Sequence, residues 1–227
     1  MKKALIIGGS RGIGLGLVKE YMDRGWHVTA TERRHSAELH QLADSVPARL
    51  VIDHLDIRVQ DQQRDLAQRL AGQSFDLLFL NAGVLFGRAE PLDEISDERI
   101  TDQFMTNAVS PVRTADALHH LVHPDGMIAF MSSKLGSVST NADGRAELYR
   151  ASKAALNTLV LSFHARHAND KRSILILHPG VVRTEMGGAN APLDIQTSVS
   201  SLADVIDKRW GEAKPVFVDY QNQTIPW

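Results

Sequence analysis

The sequence predicts an α/β fold in which a doubly wound, mostly parallel sheet of seven strands carries helices on both faces. Short apolar runs alternate with longer amphipathic stretches along all 227 residues. Strands separated by segments of helical length are typical of βαβ units and a parallel sheet. Several of the runs are apolar throughout, as expected for strands covered on both faces. Because no repeat or linker divides the chain, we expect residues 1–227 to form a single domain.

Seven apolar runs are the predicted strands. They are Ala4–Ile7, His27–Thr31, Arg49–Ile52, Asp76–Leu80, Met127–Met131, Ile174–Leu177 and Val216–Val218. Helical spacing of apolar residues follows the first run at Leu15, Val18 and Met22, and it recurs at Leu66 and Leu70.

The composition excludes several classes of protein. Hydrophobic residues make up 43% of the chain and the formal net charge is −2, which argues against disorder. With 25 basic and 27 acidic residues there is no basic surface for a nucleic acid. The absence of cysteine excludes disulfides and thiolate chemistry. No apolar run approaches the roughly 18 residues of a membrane span, so we expect a cytoplasmic protein with no nucleic-acid or membrane partner.

A glycine-rich turn directly follows the first predicted strand. Gly8, Gly12 and Gly14 lie between that strand and the first helical pattern. Glycines allow the tight turn and the close approach of a pyrophosphate, which the free N–H groups at the helix start can bind. A glycine turn without a ligand is the alternative, but the position after the first strand favours a Rossmann-type dinucleotide site.

The spacing Gly8-x-x-x-Gly12-x-Gly14 resembles the glycine motif of the short-chain dehydrogenase/reductase family. Ile7 stands where the family usually has threonine, so we expect the turn to lack one stabilising hydroxyl. Further motifs follow in family order and span almost the whole chain. They are Asp56-Ile57, Asn81-Ala82-Gly83, Ser132-Ser133, Tyr149-x-x-x-Lys153 and the stretch Pro179-Gly180-Val181-Val182-Arg183-Thr184.

The resemblance implies two groups of site residues and no metal. The cofactor-binding group is Gly8, Ser10, Arg11, Gly12, Ile13, Gly14, Glu32, Arg33, Asp56, Ile57, Asn81, Ala82, Gly83, Tyr149, Lys153, Pro179, Gly180, Val182 and Thr184. The catalytic group is Asn107, Ser133, Tyr149 and Lys153. His119 and His123 are four residues apart, but no third metal ligand accompanies them.

Tyr149 and Lys153 are the predicted centre of the chemistry, although a solvated Tyr and Lys on a helix surface would have the same spacing. Four residues apart on a helix, they share one face. Carbonyl reduction needs an acid for the nascent alkoxide, and a free phenol lies about three pKa units, or roughly 4 kcal/mol, from neutrality. A cation about 4 Å away supplies about 4 kcal/mol where the effective dielectric constant is near 20. We therefore expect Lys153 to lower the pKa of Tyr149, the general acid/base, in a site partly closed to water.

Two more residues complete the catalytic group that the resemblance implies. Ser133 would hydrogen-bond the substrate oxygen, and Asn107 would hold a water that relays protons to Lys153. The interval between Ser133 and Tyr149 is longer than the family's usual spacing, so Ser137 and Ser139 are possible competitors.

Opposed signals for the cofactor follow the second predicted strand. Glu32 would bond both ribose hydroxyls and favour NAD(H). Arg33 and Arg34, with Arg11, would pair with a 2′-phosphate and favour NADP(H). Three cations against one carboxylate favour NADP(H), with NAD(H) as the alternative.

The long segment before Tyr149, the run 149–157 and the ending Ile225-Pro226-Trp227 resemble one branch of the family. That branch includes the bacterial C-factor proteins and the sniffer-type carbonyl reductases. It implies hydride transfer between nicotinamide and a modest, fairly apolar carbonyl or alcohol substrate. A non-enzymatic NAD(P)-binding regulator is the alternative. The family's substrate loops correspond to residues 84–95, 134–148 and 185–200, and its members commonly form dimers or tetramers.

Overall fold

A computed structural model describes residues 1–227 and has the predicted α/β architecture. Its strands are β1 (Lys3–Ile7), β2 (His27–Glu32), β3 (Leu50–His54), β4 (Phe75–Leu80), β5 (Val122–Met131), β6 (Ser173–His178) and β7 (Val216–Asp219). They form one sheet in the order β3-β2-β1-β4-β5-β6-β7, and every neighbouring pair is parallel. The predicted fold class is confirmed.

Helices make most of the connections between the strands. They are α1 (Gly12–Asp23), α2 (Ala37–Ser45), α3 (Gln60–Arg69), α4 (Asp97–Phe104), α5 (Ser110–Leu118), α6 (Glu147–Arg166) and α7 (Ile195–Lys208). A π-helix over Met105–Val109 joins α4 to α5, and short 3-10 helices cover Leu92–Glu94, His119–Leu121 and Lys134–Gly136. None of the helices combines the length and the apolar character needed to cross a bilayer.

Strand β1 shows how the sheet is covered on both faces. Ala4 and Ile6 pack into one hydrophobic cluster with α1, α2 and α7, whereas Leu5 and Ile7 pack into another with α3, α5 and α6. Successive side chains of a strand point to opposite faces, so an unbroken apolar run fills both cores. The clusters contain 25 and 24 buried residues, so neither face of the sheet is left to solvent.

The strand ends differ from the prediction by at most two residues except at the start of β5, and two helices begin inside predicted loops. Strand β5 begins at Val122 rather than Met127, and its pairing with β4 shifts register between Phe75 and Leu77. Helix α6 begins at Glu147, inside the predicted loop 134–148. Helix α7 begins at Ile195, so the predicted loop 185–200 ends at residue 194.

The strand order reverses between β1 and β4. The chain leaves β1 toward β2 on one side and leaves β4 toward β5 on the other. In open α/β sheets such a switch point opens a crevice at the carboxyl ends of the strands, where ligands bind. The ends of β1 and β4 therefore mark the candidate site.

Candidate active site and dinucleotide crevice

Two turns meet tightly at the switch point. Gly8 follows β1 with a φ of +87°, a conformation that glycine adopts without strain. A Cβ added to Gly8 would lie 3.0 Å from the backbone of Ala82, which follows β4. Asn81 closes the junction, because its Nδ2 donates a 3.0 Å hydrogen bond to the Gly8 carbonyl. The structure thus brings together the predicted residues at the ends of these two strands.

Thr31 supplies the hydroxyl that Ile7 does not. Its Oγ1 accepts a 3.0 Å hydrogen bond from the Gly8 N–H, and its carbonyl accepts a 2.9 Å bond from the Gly9 N–H. Thr31 lies in β2 and is buried. The expectation that the turn lacks a stabilising hydroxyl is therefore wrong, because the neighbouring strand provides one.

The start of α1 has room for an anion. Gly12 has a φ of +53°, and a Cβ built on it would meet only the methyl group of Thr184, at 3.7 Å. Gly14, in contrast, lies directly against the Gly8 carbonyl and admits no side chain. No side chain caps the helix at Arg11, so the first N–H groups of α1 have no protein acceptor from that residue. Open space beside free N–H groups fits a pyrophosphate.

The rest of the glycine-rich turn is fixed by its neighbours. The Ser10 carbonyl accepts a 2.7 Å hydrogen bond from Ser36 Oγ at the start of α2, and Ile13 packs against the first core cluster. Arg11 forms an ion pair with Glu185, and both side chains are exposed. This pair connects the turn to the loop after β6 and engages one of the three cations expected near a 2′-phosphate.

The end of β2 carries the residues expected at the adenosine ribose. The Glu32 carboxylate accepts hydrogen bonds from the Ser36 N–H at 2.8 Å and from His40 Nε2–H at 2.7 Å. Arg33 and Arg34 are exposed, and neither forms an ion pair. Two of the three expected cations therefore have no ion-pair partner, whereas each oxygen of the Glu32 carboxylate already accepts a hydrogen bond.

Asp56 and Ile57 follow β3, as the motif predicted. Burial acts to raise the pKa of Asp56, but hydrogen bonds from Arg58 and the charge of Arg33 lower it below its ordinary value. Ile57 is buried, and its carbonyl accepts a 2.6 Å bond from Gln63 Nε2. Because the charge of Arg33 lowers the pKa of Asp56, the residue predicted at the ribose lies near the residue predicted at the adenine.

The predicted catalytic side chains meet at the carboxyl end of β5. Lys153 Nζ donates a 2.9 Å hydrogen bond to the Met131 carbonyl and lies 5.8 Å from the centre of the Tyr149 ring. Ser133, two residues beyond β5, has its hydroxyl beside the Tyr149 phenol and acts to lower the pKa of that phenol, while its Oγ accepts a 3.1 Å hydrogen bond from the Leu135 N–H. All three side chains belong to buried residues, with Tyr149 8% and Lys153 3% exposed. The site is closed to water in the way that the chemistry requires.

The pKa values differ from the expectation. Burial raises the pKa of Tyr149 to about 12, and the neighbouring Ser133 hydroxyl and the charge of Arg88 offset this only in part. Burial also lowers the pKa of Lys153 to about 8. The prediction that Lys153 lowers the pKa of Tyr149 is wrong for this structure, because desolvation dominates and the amine is directed at a carbonyl. The phenol remains protonated at neutral pH, which is the state of a general acid.

The neighbouring serines have other partners. Ser132 Oγ donates a 2.7 Å hydrogen bond to Asn157 Oδ1 in α6. Ser139 Oγ donates a 2.9 Å bond to the Trp227 carbonyl, and Ser137 Oγ lies 3.3 Å from Ser139 Oγ. The hydroxyl that meets the phenol is therefore the one that the sequence favours.

Asn107 lies fully buried in the π-helix. Its Oδ1 accepts a 2.8 Å bond from the Val84 N–H, while its Nδ2 donates to the Val84 carbonyl at 2.8 Å and to Ser152 Oγ at 3.1 Å. A Cβ on Gly83 would lie 3.4 Å from Asn107 Oδ1 and 3.7 Å from Lys153 Nζ. Asn107 is thus close to Lys153, but protein groups take up its amide hydrogens. Its side chain holds the loop after β4 against α6.

Strand β6 leads into the predicted nicotinamide segment. The Pro179 carbonyl accepts a 2.7 Å bond from Ser198 Oγ in α7. Gly180 has a φ of +80°, and a Cβ there would lie 2.9 Å from the ring of Tyr220. The chain can turn at this point only because the residue is glycine.

The same segment then folds back on itself. Val182 is buried and forms an isolated β-bridge with Leu193. Thr184 Oγ1 accepts a 3.0 Å hydrogen bond from the Gly187 N–H. The loop after β6 is therefore a structured strap beside the start of α1.

Sequence reasoning missed four residues of this region. Thr31, Ser36 and His40 were given no role, although all three contact predicted site residues. His178, directly before Pro179, is neutral because burial lowers its pKa to about 4, and its Nδ1 has no hydrogen-bond partner. The partners of Thr31, Ser36 and His40 belong to other elements or turns, and His178 has no partner, so no motif in the sequence gives a signal for them.

The crevice at the switch point, the glycine-rich turn and the cluster of Tyr149, Lys153 and Ser133 have the arrangement expected of an α/β oxidoreductase with a dinucleotide cofactor. The sequence model of the family described as short chain dehydrogenase matches residues 2–192, and the chain belongs to this family. The resemblance inferred from the motifs is therefore confirmed.

Three known proteins illustrate the similarity. A short-chain dehydrogenase/reductase from Burkholderia multivorans, solved with bound NADP, is 43% identical, with a TM-score of 0.96 over 100% of this chain and 99% of that one. The carbonyl reductase Sniffer of D. melanogaster is 32% identical, with a TM-score of 0.90 over 100% of both chains. The C-signal protein of Myxococcus xanthus is 34% identical over 72% of this chain and 99% of its own length. These similarities support the predicted carbonyl-reductase branch of the family.

Proposed function

We propose that the protein is an NADP(H)-dependent carbonyl reductase in which Tyr149 is the general acid. The observation that carries the proposal is the buried cluster at the end of β5, where the Ser133 hydroxyl lies beside a phenol whose pKa is raised to about 12 and Lys153 Nζ lies 5.8 Å from the centre of the same ring. A phenol that keeps its proton at neutral pH suits the protonation of an alkoxide, which is the reductive direction.

The cofactor proposal rests on the fit of the crevice and on the relatives. The open space at Gly12 and the free N–H groups of α1 suit a pyrophosphate. Arg33 and Arg34 are free cations beside the expected ribose, which favours a 2′-phosphate. The neighbour from Burkholderia multivorans was solved with NADP, which supports the same preference here.

The chain's own residues would divide the reaction among them. Bound NADPH would supply the hydride that reaches the carbonyl carbon. Ser133 would hold the carbonyl oxygen beside the phenol, and Tyr149 would give that oxygen its proton. Lys153, whose pKa of about 8 leaves it largely cationic at neutral pH, would stabilise the phenolate that forms. Asn107 would keep the loop after β4 and α6 in place around the lysine.

The rim of the crevice favours apolar substrates. Large hydrophobic side chains are exposed on all three segments predicted to bind substrate, namely Leu92, Val138 and Met186. Exposed apolar groups grouped around a concave site are typical of ligand-binding surfaces. We therefore propose a modest, fairly apolar aldehyde or ketone as substrate.

The proposal is tested with Tyr149→Phe, which removes the proton donor and leaves the ring in place. We expect kcat for NADPH-dependent reduction of aldehydes and ketones to fall roughly 100- to 10,000-fold, while NADPH still binds. Tyr21→Phe is a matched control, because the Tyr21 hydroxyl is buried, has no hydrogen-bond partner and lies in α1 away from the cluster.

Two outcomes would contradict the proposal. Equal turnover by wild type and Tyr149→Phe would show that another group is the acid. NADPH binding without turnover of any carbonyl would instead favour a regulator that uses the cofactor as a ligand.

The sequence also predicts a cytoplasmic homo-oligomer, either a dimer or a tetramer. Light scattering of the purified protein tests its assembly.

A further inference from the structure

The carboxylate of Glu32 is held away from solvent by two donors, which we call the Glu32 clamp. Oε2 accepts a 2.8 Å hydrogen bond from the Ser36 N–H, and Oε1 accepts a 2.7 Å bond from His40 Nε2–H. The Glu32 side chain is 11% exposed. It also lies at the N-terminus of α2, where the helix dipole stabilises a negative charge.

The clamp is fixed by the elements around it. Ser36 Oγ accepts a bond from the Leu39 N–H at 3.3 Å and donates to the Ser10 carbonyl at 2.7 Å. The ring of His35 lies 4.2 Å from the ring of His40, centre to centre. The end of β2, the glycine-rich turn and the first turn of α2 therefore position the two donors together.

The clamp is a hydrogen-bonded pair rather than a metal site. Ligand atoms of Glu32, His35 and His40 lie within 4.8 Å of one another, so metal binding is the competing interpretation. Two ligands on a tetrahedral zinc ion stand roughly 3.3 Å apart when each is about 2.0 Å from the metal. The 2.7 Å between Glu32 Oε1 and His40 Nε2 is shorter and is an ordinary hydrogen-bond length.

An acidic residue at the end of β2 selects NAD(H) when its oxygens are free to accept from both ribose hydroxyls, and it repels a 2′-phosphate. Both oxygens of Glu32 already accept hydrogen bonds, whereas Arg33 next to it has no carboxylate partner and acts on Asp56. Glu32, whose charge would oppose the 2′-phosphate of NADP(H), is hydrogen-bonded within the protein through both oxygens. Arg33, whose charge would attract that phosphate, is exposed and forms no ion pair.

We propose that His40 is a specificity-determining positioning residue, which sequesters Glu32 and so turns an NAD-type sequence position into an NADP-type site. This inference rests on the proposed function, because it concerns the cofactor of that same crevice. It assigns the preference to a residue of α2 that would not itself touch the cofactor.

The test measures dissociation constants of NADPH and NADH at one fixed ionic strength, for wild type and variants. His40→Ala frees Glu32, and we expect the NADPH-over-NADH preference to fall about 10-fold. His40→Gln keeps an N–H donor and should restore most of the preference. Adding Glu32→Gln to His40→Ala removes the released charge and should restore it as well. His35→Ala is the control, because it removes the stacked ring without removing a donor to Glu32.

Every result of this test either supports the role of His40 or overturns it. An unchanged preference in His40→Ala would overturn the inference while the proposed function stood, since wild type would still bind NADPH. An equal loss in His35→Ala and His40→Ala would also overturn it, because the effect would then come from the packing of α2. If wild type bound neither cofactor, the proposed function itself would fail, and the inference with it.

Discussion

Lys153 is a buried amine whose hydrogen bonding only partly offsets its desolvation. It is 3% exposed and has the Met131 carbonyl as its acceptor, and burial lowers its pKa from 10.5 to about 8. A folded-state pKa below the unfolded value means that the charged form is penalised in the folded protein. The fold therefore keeps a buried amine that lowers the stability of the folded protein at neutral pH. Groups of this kind are typical of functional sites.

Replacing Lys153 should stabilise the protein in a pH-dependent way. Between about pH 8 and 10.5 the unfolded chain binds the proton and the folded chain does not, so wild-type stability rises with pH in that window. Below pH 8 the full penalty is present. We expect Lys153→Met to raise the free energy of unfolding by on the order of 1–3 kcal/mol at pH 7, and much less at pH 10.

Urea unfolding of the cofactor-free protein at the two pH values measures this difference. Lys171→Met is the control, since Lys171 is exposed and its removal should not give a pH-dependent gain. A Lys153→Met variant that is destabilised equally at both pH values would show that the pKa of Lys153 is not shifted by folding, and would contradict the prediction.

At the scale of elements, the π-helix explains how a proline fits into the middle of a long helix. Pro111 has no N–H for the Asn107 carbonyl four residues before it. The Ser110 N–H bonds the Met105 carbonyl, five residues back, so the turn is widened where the proline enters. Widened turns of this kind are frequent at functional sites. The Asn107 carbonyl is thereby left without its usual helical donor close to Lys153, where the sequence predicts a proton relay.

The junction of β1 and α1 is the element that tolerates least change. A Cβ on Gly14 would collide with the Gly8 carbonyl and lie 2.6 Å from Asn81 Nδ2. Backbone would have to move, and the hydrogen bond between Asn81 and Gly8 would break. We expect Gly14→Ala to weaken NADPH binding at least 10-fold and to lower the free energy of unfolding by about 1–3 kcal/mol.

Titration of NADPH and urea unfolding test this expectation. Gly12→Ala is a useful comparison, since a Cβ there meets only Thr184 but the φ of +53° still disfavours it. Unchanged cofactor binding and stability in Gly14→Ala would contradict this expectation, because the backbone at the junction of β1 and α1 would then have moved to accept a Cβ.

The element boundaries show what could be predicted from the sequence. Continuous apolar runs located all seven strands, because burial on both faces leaves a local pattern. The start of β5 was missed because Pro124 and Gly126 are typical of turns, and proline cannot donate to a sheet ladder. The start of α7 was missed because its N-cap, Asp194, follows a loop of small residues without an apolar pattern.

At the scale of the whole molecule, the site residues that directly follow a strand could be predicted from the sequence. The glycine-rich turn, Asn81 and Pro179 each follow a strand, and parallel strands bring their carboxyl ends to one edge. Pairs such as Arg11 with Glu185 join residues 174 positions apart, and the clamp on Glu32 depends on how α2 lies against β2. No sequence pattern encodes those distances, because tertiary packing sets them.

Because the crevice is assembled from both halves of the chain, a bound cofactor should stabilise the whole molecule. Its predicted contacts run from the turn after β1 to the segment after β6, so unfolding of either part would release it. A ligand at 100 times its dissociation constant adds about 2.7 kcal/mol to the stability of the folded state. For a chain of this size that corresponds to a rise in Tm of roughly 5–10 °C.

Thermal unfolding followed by circular dichroism, with and without saturating NADPH, measures the shift. NADH at the same concentration should raise Tm less, since it lacks the 2′-phosphate that we propose Arg33 and Arg34 to bind. A Tm that neither cofactor moves would show that the crevice does not bind a dinucleotide, whatever the geometry of its glycines.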